Sequence, residues 1–136
     1  MINVLKNAYK NHNLVAIYTN RNDYDKFSVG FILSIIGEQC LIEHLSTRGE
    51  FDGYSVMNID SIFRIEENGL YLKKIEKLKN KKGQNCIRCS LDISKPLVES
   101  VLDYAYRNRR LVKMCISEDA LDIIGYIADI KNGLVK

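Results

Sequence analysis

The sequence predicts a mainly β fold with helices: a small, strongly curved sheet of five short strands with an N-terminal helix, then a helix, an extended strand and a partial second copy of helix plus two to three strands. Three observations predict it. Short β-favouring runs separated by turn residues occupy positions 14–65, an amphipathic helical period precedes them, and the opening pattern returns later in the chain. Residues 4–15 (VLKNAYKNHNLV) recur 97 positions on as residues 101–112 (VLDYAYRNRRLV), identical at seven of twelve positions. Beyond a loop two residues shorter in the second copy, Gly30-Phe31-Ile32 aligns with Gly125-Tyr126-Ile127, and Ile35 with Ile130. The predicted divisions are 1–68, 69–95 and 96–136.

Each copy opens with a helix, because Leu5, Ala8, Tyr9 and His12, and then Leu97, Val101, Leu102 and Ala105, recur three and four residues apart. Conservation of Tyr9 and Tyr106 between the copies predicts that both pack into a core. Ser94-Lys95-Pro96 starts the second helix, with Glu99 near its positive end. Residues 14–19 and 111–117 then read as strands, each followed by a polar loop (20–25 and 118–122) and a longer strand carrying the shared glycine. A glycine inside a strand marks a bend or a close backbone approach. The first copy continues with a strand over 39–46, turn chemistry at Asp52-Gly53, strands over 54–58 and 62–65, and a short turn near Ile59-Asp60 between them. A Lys-rich helix over 69–80 and an extended segment over 83–93 join the copies.

A helix followed by five short strands in about 65 residues resembles the Sm-like small barrel of the Sm, LSm and Hfq proteins, an SH3-like architecture. The resemblance covers residues 1–66 and, incompletely, 96–136. It implies edge-strand association and, in that family, a single-stranded RNA pocket. That pocket uses an acidic residue after the glycine-bearing strand, an asparagine early in the next strand and an arginine-glycine in the last turn. This chain has Gly37, Glu38, Gln39 and Cys40 at the first positions and Asn58, Ile59 and Asp60 at the last, so only Glu38 is comparable and the pocket does not carry over. Position 136 of the second copy corresponds to about position 41 of the first, an unpaired edge that calls for a partner subunit, a longer parent chain or packing of the tail on the first barrel.

At 136 residues, with 46% hydrophobic and 27% charged residues, the chain holds enough apolar material for a core without metal or disulfide staples. Its length excludes a large multidomain enzyme. Its apolar runs fall far short of the roughly 20 residues that cross a bilayer, and its N-terminus shows no secretory pattern. A cytoplasmic setting, reduced cysteines and no disulfides are the expectation.

The formal charge of +3 is unevenly spread: residues 73–82 carry +5, residues 107–113 carry +4, and the remainder carries −6. Lys73, Lys74 and Lys77 in the first patch, and Arg107, Arg109, Arg110 and Lys113 in the second, are the candidate nucleic-acid contacts. Equally, such residues solvate the outer faces of helices.

Cys86 and Cys89 have the CxxC spacing of a zinc or redox site. The alternation Ile87, Cys89, Leu91, Ile93 instead reads as a strand with the two thiols on opposite faces. His12 and His44 stand apart from metal-ligand spacings, and Glu66-Glu67 suits a helix start. No phosphate loop, nucleophile elbow or HExxH motif is present. The chain is therefore expected to be a non-enzymatic module without cofactor or metal, self-associating or binding protein through strand edges, with RNA as the alternative partner.

Overall fold

A computed structural model describes residues 1–82, 95–115, 122–131 and 134–136. The extended segment over 83–93, with Cys86 and Cys89, and most of the loop over 118–122 lie outside the described residues. The chain divides into two compact units, Met1–Ile87 and Arg88–Lys136.

The first unit opens with α1 (Ile2–Asn11), which buries Leu5 and Ala8. Its end is sharp: His12 adopts φ 52°, the left-handed conformation that stops a helix, and Asn13 N–H returns to Ala8 O at 3.0 Å. Five antiparallel strands follow: β1 (Leu14–Tyr18), β2 (Ser28–Ile36), β3 (Gln39–Leu45), β4 (Phe51–Asn58) and β5 (Arg64–Glu67). Their order is β4-β3-β2-β1-β5. The sheet is open rather than a closed barrel, because β4 pairs only with β3 and β5 only with β1 among the described residues.

Side-chain alternation along β1 explains why every residue of it is buried. Val15 and Ile17 join Leu5 and Ala8 of α1, together with Ile32, Cys40, Ile42 and Ile62. Leu14, Ala16 and Tyr18 face the other way, among Val29, Phe31 and Leu45, and are covered by Leu72 and Ile75 of α2 (Leu70–Lys82). The Lys-rich helix thus closes one face of the first unit through two aliphatic residues three apart.

Gly30 supplies the close approach expected of it, since a Cβ there would lie 2.2 Å from the Glu43 carbonyl oxygen of β3. Two expectations shift. Asp52-Gly53 lies inside β4, where both residues oppose His44 alone as a bulge between the Glu43↔Tyr54 and Leu45↔Phe51 pairs. Gly53 provides the positive φ of 94° there, and the β3–β4 turn falls instead at residues 46–50, with Ser46 N–H bonded to Glu50 O at 2.8 Å. The last strand starts at Arg64, after a 3₁₀ turn (Ile59–Ser61), because Ile62 closes that turn by bonding Ile59 O and is used as core. Glu66 and Glu67 accordingly sit in a strand, not at a helix start.

The second unit contains α3 (Leu97–Arg107), a two-stranded pair of β6 (Val112–Met114) and β7 (Ile123–Gly125), and another of β8 (Ile130–Lys131) and β9 (Leu134–Val135). Its pairings repeat those of the first. Val112↔Gly125 and Lys113↔Ile124 match Val15↔Gly30 and Ala16↔Val29, and Ile130↔Val135 matches Ile35↔Cys40. The helix stop repeats too: Arg109, equivalent to His12, has φ 50°, and Arg110 N–H reaches Ala105 O at 2.9 Å. The whole is a mixed α/β chain with a five-stranded antiparallel sheet and smaller secondary pairs.

Candidate functional site

The predicted basic residues fall into two groups. Lys73, Lys74 and Lys77 are exposed on α2 in the first unit, with Lys73 and Lys77 one helical turn apart. Arg107, Arg109, Arg110 and Lys113 belong to the second unit, at the end of α3 and in β6. Two of these are occupied within the unit: Arg107 Nε lies 3.1 Å from Asp103 and Lys113 Nζ 3.2 Å from Asp122. Asp122 also accepts a hydrogen bond from the exposed Cys115 thiol, which with Lys113 holds its carboxyl below the ordinary value and raises the thiol in return. Arg109 and Arg110 form no ion pair among the described residues.

Arg107 and Arg109 line an open cleft of about 680 Å³ with Tyr106, Tyr126, Ile127 and Ala128. Contrary to the packing expectation, Tyr9 and Tyr106 are 48% and 39% exposed. Each copy's helix buries the alanine one residue earlier instead, Ala8 or Ala105.

In the first unit, the β2–β3 turn and the β4–β5 connection meet at one end of the sheet. Ile59 N–H bonds Glu38 O at 2.8 Å, and Gln39 Nε2 donates to Asn58 Oδ1 at 3.3 Å. Glu38, Gln39, Asn58 and Ile59 are thus neighbours, although the two amides engage each other.

An aromatic surface escaped the sequence reading. Tyr18, Tyr24, Phe27, Phe63 and Tyr71 form a chain of ring contacts at 5.2–6.2 Å, flanked by Arg21 over Phe63 and Arg64 over Tyr18. Tyr18 Oη donates to Glu66 Oε2 at 3.0 Å, and Glu66 also pairs with Arg64. Burial and that carboxylate raise the Tyr18 pKa. Nothing in the spacing of these residues along the chain announces the cluster, which the antiparallel β1–β5 pairing and the 20–27 loop assemble.

His44 Nε2 lies 2.6 Å from Ser55 Oγ. Burial pushes the imidazole below its ordinary pKa while the nearby Asp52 carboxylate opposes the shift. The neutral ring and hydroxyl therefore satisfy one another across β3 and β4 in a half-buried position. Cys40 is fully buried, its thiol pushed up to about 11 by desolvation, and so is unreactive in the folded protein.

Among the described residues no three His, Cys, Asp or Glu side chains gather as a metal site, and no helix is long and apolar enough to cross a membrane. Comparison with protein-family models, with curated proteins and with solved structures finds no match for this chain.

Proposed function

We propose that this chain is a non-enzymatic binding and assembly module whose first unit is Sm-like and associates through the open edges of its sheet. The carrying observation is that, among the described residues, β4 and β5 each have a single strand neighbour. The outer edge of a sheet is a template for strand addition, and pairing β5 of one copy with a sheet edge of the next is a head-to-tail contact that closes into a ring or grows as a filament. The N-terminal helix and the strand order support the Sm-like reading. Glu67 Oε1 on β5 is buried with no partner among the described residues, the kind of acceptor that a neighbouring strand's donor would satisfy.

RNA is the second reading. The exposed lysines of α2 and the Tyr106, Tyr126, Arg107 and Arg109 cleft favour it, since basic groups beside aromatic faces hold phosphates and stack bases. Light scattering on a sizing column tests the first reading: an assembly of several copies is expected, and a monomer at every accessible concentration would defeat edge association. Titration with single-stranded RNA tests the second, with affinity expected to fall steeply as salt rises.

A further inference from the structure

The repeat supplies an internal template for a surface beyond those strand edges. In the first unit, Leu14, Val29 and Phe31 share one sheet face and are 6%, 6% and 2% exposed beneath α2. Their equivalents in the second unit, Leu111, Ile124 and Tyr126, are 61%, 62% and 68% exposed. The backbone pairing is the same in both, so the difference lies in the cover. What covers the face in the first unit is an amphipathic helix that sets Leu72 and Ile75 against it and places Lys79 Nζ 4.5 Å from the centre of the Phe31 ring.

Charge decides what kind of helix suits the second face. Where the first copy has His12, Asn13 and Ala16, the second has Arg109, Arg110 and Lys113. Lys113 is paired with Asp122, but Arg109 and Arg110 have no ion pair among the described residues. Arg109 lines the same cleft as Tyr126, so a basic helix like α2 would meet repulsion there, whereas acidic side chains flanking an aliphatic stripe would meet attraction. The geometry points to a docking face, built around Leu111, Ile124 and Tyr126, for an acidic amphipathic helix of a partner protein that presents two aliphatic residues three apart. Lys113, standing where Ala16 stands in the first copy and held by Asp122, narrows the apolar floor.

The test uses the full chain and two labelled 14-residue peptides. One carries residues 69–82 unaltered, and the other has the six lysines of that segment replaced by glutamate. Fluorescence anisotropy is expected to show saturable binding of the acidic peptide, with the unaltered one about tenfold weaker or more. Ile124→Asp should weaken the acidic peptide by about tenfold. Arg109→Glu with Arg110→Glu, which leaves the apolar floor intact, should reverse the preference. Alkylation of Cys115, which lies on the same face, should slow when the acidic peptide is bound. Absence of saturable binding, or binding indifferent to Ile124→Asp, overturns the assignment. Equal or tighter binding of the unaltered peptide also overturns it, in favour of α2 from a second copy.

Discussion

The β1–β2 and β6–β7 pairs share a register residue for residue, and the helix before each stops at the same left-handed position, yet their side chains end in different surroundings. In the first pair Val15 and Ile17 are sealed against α1, and Leu14 and Ala16 against α2. In the second, Val112 and Met114 are only half-buried, and Leu111 and Lys113 are exposed. Register and helix stop are set by neighbours a few residues away, through turn length, glycine placement and backbone hydrogen bonding. Burial is set by elements far along the chain. The two copies therefore separate what local sequence encodes from what tertiary cover adds.

The shared glycine gives the sharpest way to break this comparison. Gly30→Val should drive a side chain into the Glu43 carbonyl and cost about 3 kcal/mol or more, read as a loss of the denaturation midpoint. Gly125→Val should leave the midpoint nearly unchanged, because a Cβ there meets nothing within 4 Å. Equal losses at the two positions would mean that the second copy is as closely covered as the first. Ile17→Ala, in a fully sealed site, should cost about 3 kcal/mol in urea denaturation, against under about 1 kcal/mol for the equivalent Met114→Ala.

A pH series sharpens the same contrast, since both histidines lie in the first unit. His44 has a folded pKa depressed by burial, so the unfolded chain binds its proton more readily. Its contribution to stability is present above the unfolded value, about 6.5, and is lost as pH falls through the lower folded value. The unfolding free energy of the first unit should decline over that interval, and His44→Phe should flatten the decline. The smallest effect concerns thiols. Iodoacetamide should label Cys115 in the native protein and spare Cys40, and Asp122→Asn should speed Cys115 labelling by removing the hydrogen bond that raises its pKa.

Much of this arrangement is legible along the chain where the signals are local. Helical spacing of Leu5 and Ala8, the β-favouring run at 14–18 and the repeated Val-Leu-Ala-Tyr pattern place α1, α3 and β1 within a residue or two and the start of β6 within one. Asp52-Gly53 misleads because a positive-φ glycine serves a bulge as well as a turn, and only pairing with His44 distinguishes them. The aromatic pattern at Tyr9 and Tyr106 misleads because each lies one residue beyond the small alanine on which its helix settles. The docking of Leu72 and Ile75 onto β1, and the gathering of Tyr18, Phe27, Phe63 and Tyr71, depend on long-range pairing that no spacing along the sequence reveals.

Amide hydrogen exchange followed by NMR tests most directly the claim that one backbone pattern is covered in the first unit and left open in the second. Amides of Val15, Ala16 and Ile17 should exchange at least about a hundredfold more slowly than those of Val112, Lys113 and Met114, because the former open only with the core of the first unit. Equal protection at the two sets of positions would contradict the account, showing the second pair to be sealed by a cover comparable to α1 and α2.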